Sequence, residues 1–506
     1  MRRHRGRMAG RLLVAVLAVW LPTAALAQTF NSGSTGAQGA FPPSGADAPP
    51  AGTITYTLSL ADGKLWYYAS GWPSVTLPNV PPGGFRDGVL NFTTFNLPSG
   101  ATMYFYKNAM NTPVTILTTG NATIAGTIDL NATNAPGFGR PGTGGPGGYD
   151  GGAGGDGLSM TSGGAGLGPG GGGAGTYSGN VGPGGGGGYG TSGGTGSSGY
   201  CTSCNGTGGT TYGSSLLRPI AGGSGGGGAS GYPSYATGGA GGGGGGAILI
   251  ASSGTIAISG NPAIRANGGT GYAPGWSGGG GGSGSGGAIR LIAPTITGSG
   301  TLSAQPGSTT AYGGGTGGNG RIRLEATALS FTGSTTPLTV TSFPQPVFPS
   351  TGQPALAVAS IGGIPTPVNP VGSVLGAPDV LLPVGTANPV AVGLAASNVP
   401  IGTTVQLTAT PQSGSKTTAS CTLLDGTQGS SSCTASISIS LTQTNILTAS
   451  AVFPLVASAG EGPTYAEGEE VKWVRVAGIL GGPSTVTYIT ATGKEVPATA
   501  LASRAP

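Results

Sequence analysis

The chain is poor in the residues that carry most enzyme chemistry. Its only histidine is His4, charged residues make up 7% of the chain, and aromatic residues make up 6%. Ser-His-Asp and Cys-His mechanisms, and zinc sites with histidine ligands, all need a histidine within the folded protein. Together with 109 glycines, this composition argues against an ordinary globular enzyme.

The first 27 residues have the pattern of a secretory signal peptide. Five arginines precede the apolar run LLVAVLAVWLPTAA, and an A-x-A site then predicts cleavage between Ala27 and Gln28. The remaining chain has 14 basic and 14 acidic residues, so nucleic acid is not an expected partner. No later apolar run is long enough to predict a transmembrane helix. We therefore expect an exported protein, either secreted or held at the cell surface.

Four cysteines form two local pairs. In an exported chain they predict the disulfides Cys201–Cys204 and Cys421–Cys433. A redox motif or half a zinc site is the alternative for the first pair, but no helix start or further ligand is near it. Between the second pair, Asp425-Gly426 predicts a hairpin, so this disulfide should join the two strands of that hairpin.

An aliphatic pattern recurs along the chain. Each copy has an apolar strand, a small turn and a second short strand. Ile248, Ile289 and Ile322 are equivalent, at intervals of 41 and 33 residues. Short β-branched strands between glycine turns are typical of a β-solenoid, in which each coil is stable only when stacked on its neighbours. The copies are VTILTTGNATIAGTIDLNA (114–132), AILIASSGTIAISGNPAIRANGG (247–269), AIRLIAPTITGSGTLSAQPG (288–307) and RIRLEATALSFTG (321–333).

Residues 88–106 add a further pair of alternating strands, joined at Pro98-Ser99-Gly100. In the copy at 321–333, the two-residue period predicts that Ile322 and Leu324 point inward, while Arg321, Arg323 and Glu325 face water.

Glycine is concentrated between Gly137 and Gly320, which hold 75 of the 109 glycines. A structureless loop spanning 137–246 would be unusually long for a compact domain. Two interpretations remain open. The tract is either a disordered brush, or a set of extended, polyproline-II-like strands that lie side by side because glycine has no Cβ. The segment GGAGGDGLS also matches one calcium-binding repeat with Asp156 as ligand, but no second copy follows it.

The composition changes after Gly333. A proline-rich linker, FPQPVFPSTGQP (343–354), leads to alternating strands over 355–455 that predict an immunoglobulin-like β-sandwich. The tail holds two more alternating strands within 468–497, either an added hairpin or a docking segment.

Charged residues on the predicted coils supply the only enzyme hypothesis. A carbohydrate-active β-helix enzyme needs an acid and a basic group, or two acids, converging on one face. The available residues are Asp129, Arg265, Arg290, Arg321, Arg323 and Glu325. Stacking of Arg290 and Arg323 in adjacent coils would form a basic stripe, so Arg290, Arg321 and Arg323 are the expected surface for glycan contact. The alternative is that these are simply solvated outward positions. We expect no catalytic residue, cofactor or metal ligand.

The segments DGVLNF (87–92), ATIAGTIDL, GGAILIASSGTI, GGAIRLIAPTI and NGRIRLEA resemble those of glycine-rich, parallel β-helix surface proteins that bacteria export. The resemblance covers residues 28–335, has an adhesin-like layout, and implies a structural role at the cell surface or outside the cell. It carries over no catalytic residue.

We therefore expect an all-β structural or adhesive protein. The alternative is a carbohydrate-active enzyme or a polysaccharide-binding protein. Cell-surface polysaccharide, matrix components and self-association are the partners to consider. The expected organisation is a signal peptide (1–27), an N-terminal β cap (28–87), first solenoid coils (88–136), a glycine-rich insertion that is polyglycine-II-like or disordered (137–246), further coils (247–335), a linker (336–354), the sandwich (355–455) and a tail with a hairpin (456–506).

Overall fold

The computed structural model describes residues 30–497, apart from 51, 69–72, 160, 199–200, 214, 219, 233–236, 275–278, 309–311, 348–353, 368–376, 455–470, 479–484, 491 and 494. The predicted signal peptide and its cleavage site lie outside the described residues. The fold is all-β. In the described part, the only helical segments are two 3₁₀ turns, Gly45–Asp47 and Thr202–Cys204.

The strands of the first two sheets precede residue 343. They are β1 (Ala40–Phe41), β2 (Thr55–Ser59), β3 (Lys64–Tyr68), β4 (Ser74–Thr76), β5 (Val89–Phe92), β6 (Thr94–Leu97), β7 (Thr102–Tyr106), β8 (Val114–Thr118), β9 (Ala122–Ile124), β10 (Thr127–Asp129), β11 (Ala247–Ser252), β12 (Thr255–Ile258), β13 (Ile264–Arg265), β14 (Ala288–Gly298), β15 (Leu302–Ser303), β16 (Arg321–Phe331), β17 (Thr335–Thr336) and β18 (Val340–Ser342).

The strands of two further sheets follow. They are β19 (Ala355–Ile361), β20 (Ile364–Pro365), β21 (Val390–Ser397), β22 (Thr404–Pro411), β23 (Thr417–Thr422), β24 (Asp425–Thr427), β25 (Ser430–Ile437), β26 (Asn445–Pro454), β27 (Val471–Ala477), β28 (Thr485–Thr490) and β29 (Glu495–Pro497).

Five segments, called the repeats here, stack in parallel and in register. In the first, ten-stranded sheet, Ile248 pairs with Ile289 and Ile289 with Ile322, the equivalence that the sequence pattern predicts. A second ladder runs through Leu90, Ile116, Ile250, Leu291 and Leu324. The repeats cover 89–106, 114–129, 247–265, 288–303 and 321–336.

Each repeat then adds one strand to a second, eight-stranded sheet. Strands β7, β10, β13, β15 and β17 pair in parallel in that order. Strand β2 pairs in parallel with β7, and β3 and β4 continue the sheet in antiparallel fashion. One hydrophobic cluster, including Phe92, Ile250 and Ile264, fills the space between the two sheets.

The first sheet is covered on both faces along β8, β11 and the first half of β14. On its outer face, Leu117, Leu249 and Ile292 form a second cluster, against which Phe30 and Val347 pack. The continuous apolar runs of these strands have the composition of parallel strands buried on both sides. The outward positions of this half of the sheet are therefore buried under other segments of the chain.

The described glycine-rich segments pack in layers without forming β-strands. These segments, called the glycine layer here, are the described residues of 137–246 with 266–272, 279–287 and 313–320. Backbone hydrogen bonds join them: Gly223, Gly226 and Ala229 donate to Gly245, Gly242 and Gly239. Successive donors are three residues apart, and their acceptors, also three residues apart, follow in reverse order along the chain. The two segments therefore run antiparallel.

The strands after residue 354 form two antiparallel sheets, ordered β20-β19-β21-β25-β24 and β23-β22-β26-β27-β28-β29. They share one hydrophobic core, which includes Val392, Leu407 and Val476. Strand β27 pairs with β26, so the strands of the predicted tail extend the second sheet.

This C-terminal unit contacts the glycine layer directly. The Gly414 amide donates to the carbonyl oxygen of Gly163 at 2.8 Å, and Lys416 Nζ to that of Gly171 at 3.3 Å. Burial at this junction lowers the pKa of Lys416.

Candidate functional site

Three of the charged residues singled out in the sequence meet in one buried cluster. Arg290 Nε and Arg323 Nε donate to the same Glu325 oxygen, Oε1, at 2.9 and 2.7 Å. Arg290 Nη2 reaches the other oxygen, Oε2, at 3.2 Å. Arg290 and Glu325 are 0% exposed and Arg323 is 4% exposed. Neither arginine is available to a glycan at the surface. The prediction that Arg290 and Arg323 form an exposed stripe, and that Glu325 faces water, is therefore wrong.

The linker after the last repeat explains this burial. Strand β18 pairs with β16, and the chain then crosses the outer face of the sheet. The carbonyl oxygens of Pro346 and Val347 accept hydrogen bonds from Arg290, while the Gln345 amide donates to Glu325 Oε2. Period-two alternation placed Arg323 and Glu325 on the correct face. It could not indicate that a segment about twenty residues away would cover that face.

The electrostatics of the cluster are those of a closed ion-pair network. Burial lowers the pKa of Arg290, and Glu325 partly offsets this effect through its hydrogen bond and its charge. Removing a charge from water is costly unless charged partners and hydrogen bonds compensate. Here they do, because the two arginines and the Gln345 amide donate to the Glu325 carboxylate, and the linker carbonyls accept from Arg290.

The other charged positions are separate from this cluster. Arg321 is half-buried, with its guanidinium 5.5 Å from the centre of the Tyr189 ring, and it donates to the Tyr212 carbonyl oxygen. Asp129 lies on the second sheet, 2.6 Å from Arg265. Apart from Arg321, the acid and basic groups of the enzyme hypothesis thus form two separate ion-paired sets.

Both predicted disulfides are present, Cys201–Cys204 and Cys421–Cys433. The second differs from the expectation in what it connects. Cys421 lies on β23 and Cys433 on β25, which belong to different sheets, so the bond links the two sheets of the C-terminal unit. The hairpin is formed by β24 and β25 and turns between Thr427 and Ser430, after the predicted Asp425-Gly426.

Asp156, the calcium candidate, is part of a local turn. Its carboxylate accepts hydrogen bonds from the Ser159 hydroxyl and the Leu158 amide, which lower its pKa. Among the described residues there is no group of three or more histidine, cysteine or acidic side chains that could hold a metal ion.

A surface that the sequence reasoning missed lies on the second sheet. Tyr104 and Tyr106 on β7 are 42% and 59% exposed, Tyr68 on β3 is 42% exposed, and Trp66 is half-buried. We call these four side chains the aromatic face. The signal was in TMYFY and KLWYY, where alternation leaves aromatic residues at outward positions in a chain with few aromatics.

The pairing register places the aromatic face beside polar groups. Thr57 lies directly between Trp66 and Tyr104 and is buried, and the Trp66 and Tyr106 rings meet edge to face at 5.7 Å. On the other side, Tyr104 pairs with Asp129, and Asp129 with Arg265. The outward positions of five neighbouring strands therefore form one row of mixed aromatic and polar character.

Comparisons with protein-family models, with curated proteins and with solved structures give no match to this chain. No helix in the described part of the chain is long and apolar enough to cross a membrane.

Proposed function

We propose that this is an exported structural or adhesive protein of the bacterial cell surface or extracellular space. Its repeats would form a β-solenoid, its glycine layer a polyglycine-II-type slab, and its C-terminal unit an immunoglobulin-like module. The observation that carries the proposal is the glycine layer, in which a large part of the chain packs backbone against backbone.

The geometry of the layer supports a rigid slab. The segment 222–231 donates to three neighbours in rotation. Besides the bonds to 239–245, Gly227 and Ser230 donate to Gly185 and Gly182, and Gly225 and Gly228 donate to Leu167 and Gly164. A three-residue turn directs successive backbone groups toward different neighbours. Such a segment is held on several sides at once, which suits a load-bearing role.

The in-register stack supports the solenoid. All five repeats contribute to both sheets in the same order, and consecutive repeats pair in parallel. The two disulfides support an oxidising environment, and hence a location outside the cytoplasm. The pairing of Glu325 and Asp129 with arginines favours a structural role for these charges over the alternative of a carbohydrate-active enzyme.

The experiment is cell fractionation combined with an attachment assay. Deleting 137–246 is a poor test, because the layer bonds to segments between the later repeats: Gly242 donates to Gly282, for example. Gly226→Ala is sharper, with Gly137→Ala as its control, because a methyl group at Gly137 would meet nothing. We expect the protein in the extracellular or surface fraction, and weaker attachment for Gly226→Ala alone. A cytoplasmic location, or full attachment by a chain whose layer is disrupted, would contradict the proposal.

A further inference from the structure

We propose that the aromatic face binds a neutral, extended polysaccharide, an inference that rests on the proposed adhesive function and supplies its ligand class. Exposed aromatic rings are informative because large apolar side chains clustered at a surface usually mark a binding site. All four lie at outward positions on only two strands, β3 and β7, and three of them are more than two-fifths exposed. The glycan contact expected at the buried arginines is thereby assigned to another sheet.

The mixed chemistry of the row fits a sugar. A pyranose ring has flat faces made of C–H groups and an edge of hydroxyl groups. The rings of Trp66 and Tyr104 offer apolar surface for the first. The tyrosine hydroxyls and the Asp129–Arg265 pair offer donors and acceptors for the second. Trp and Tyr are suited to such contacts because they have few rotatable side-chain bonds, so binding costs them little conformational entropy.

The spacing favours an extended chain that crosses the strands. Trp66 and Tyr104 are separated by one strand, since both are aligned with Thr57. Two inter-strand distances amount to about 9.6 Å, which is close to the length of one disaccharide unit in a β-linked glycan ribbon. This is the spacing of the backbone positions, and the Trp66 ring itself meets the Tyr106 ring edge to face at 5.7 Å. A glycan crossing the strands would contact the rings on both β3 and β7.

The charges around the face favour a neutral glycan over an acidic one. Arg265 is paired with Asp129 at 2.6 Å, and Lys64, on β3, lies 3.7 Å from Asp62. Both of these cations thus have a carboxylate partner, and an anionic polymer would meet no unpaired positive charge from these pairs.

The test is depletion of the purified full chain from solution by insoluble glycans. The probes are cellulose and chitin as neutral β-linked polymers, starch as a neutral α-linked one, and pectate as an anionic one. We expect binding to a β-linked neutral polymer. Tyr104→Ala should weaken it about tenfold, the range for loss of an aromatic anchor, and Tyr104→Phe should retain most of it. Phe343→Ala, which removes an exposed aromatic elsewhere, is the control and should bind normally.

Thermal unfolding of each variant separates loss of binding from loss of fold, and Trp66→Ala provides a second, independent variant. Binding that survives both alanine substitutions, or that is confined to pectate, overturns the inference. Self-association of the chain that Tyr104→Ala abolishes would instead make the face an interface between copies, and also overturns it. If no glycan binds while the cells still attach normally, the inference fails and the proposed function stands. A cytoplasmic chain would instead contradict the proposed function.

Discussion

The repeats and the glycine layer solve the same packing problem in opposite ways. In the repeats, strands pair edge to edge, and the sheets are held apart by ladders of aliphatic side chains such as Ile250 and Leu291. In the layer, segments approach from several sides, because no side chain separates them. A methyl group on Gly226 would overlap the carbonyl oxygen of Gly282, a distant segment. The repeats are stabilised by the burial of apolar side chains. The glycine layer is stabilised by close backbone packing, which the absence of side chains allows.

The comparison teaches that glycine content does not by itself indicate disorder. Glycine loses more backbone entropy on folding than any other residue. In the layer, that loss is offset by hydrogen bonds on several sides of the same segment. Gly226 accepts from the Gly152 amide and donates to Gly242, in addition to its contact with Gly282. Of the two interpretations left open by the sequence, the hydrogen bonds of the described residues favour the ordered one.

The largest effect should come from a side chain on the repeats. Glu325→Ala leaves Arg290 and Arg323 buried without their carboxylate, and breaking a buried pair in this way costs about 3–5 kcal/mol. Glu495→Ala is the matched control. It removes an ion pair with Arg475 in which both side chains are about two-fifths exposed, so it should change stability by about 1 kcal/mol or less. Chemical denaturation measures both. Equal effects of the two substitutions would show that the cluster does not hold the linker onto the sheet.

A smaller loss of stability is expected from a glycine-to-alanine substitution in the glycine layer. Gly226→Ala adds one methyl group to a closely packed segment, and overpacking costs about 1–3 kcal/mol. Because its obstacle is backbone, we expect the upper part of this range.

Gly137→Ala is the control for that substitution and should be nearly neutral. Hydrogen exchange read by mass spectrometry should also show protected amides over 222–231 in the unmodified chain, with faster exchange in Gly226→Ala. Rapid exchange over this segment in the unmodified chain would support the disordered brush and remove the contrast between the two regions.

The smallest effect is a pH dependence at the edge of the layer. Burial raises the pKa of Tyr189 to about 12, although Arg321 acts in the opposite direction. The neutral phenol is thus favoured in the folded state. Its contribution to stability is complete below the unfolded pKa near 10 and is lost as pH rises toward 12, with a slope of at most about 1.4 kcal/mol per pH unit. Tyr189→Phe should flatten this part of the denaturation profile between pH 10 and 12. An unchanged slope would show that this tyrosine does not contribute.

Sequence periodicity predicted what local pattern can determine. The equivalence of Ile248, Ile289 and Ile322 follows from repeated strand and turn chemistry, and the structure pairs these residues directly. The burial of Glu325 was not predictable in this way. Alternation assigns a side chain to one face of a sheet, whereas its exposure depends on which distant segment lies over that face.

The aromatic face shows the same limit of prediction from local sequence pattern. The alternation in KLWYY and TMYFY predicts which side chains point outward. No local sequence pattern indicates that a single strand, β2, lies between these two segments. The disulfide of Cys421 was likewise predictable from spacing, while the sheets that it joins were not. Pairings between distant strands decide both features.

The largest part of the glycine layer, the described residues of 137–246, lies between the second and third repeats, and this position has a kinetic consequence. Asp129 and Arg265 lie on adjacent strands although 136 positions separate them in the chain. Closing so long a loop adds only modestly to the entropic penalty, but such non-local contacts slow folding. Strand β8 therefore has an open edge until the chain beyond residue 247 has emerged, and an open edge is prone to pairing with other chains. During synthesis the first two repeats are thus made well before the strand that covers their edge, and in that interval the edge is open to wrong pairing.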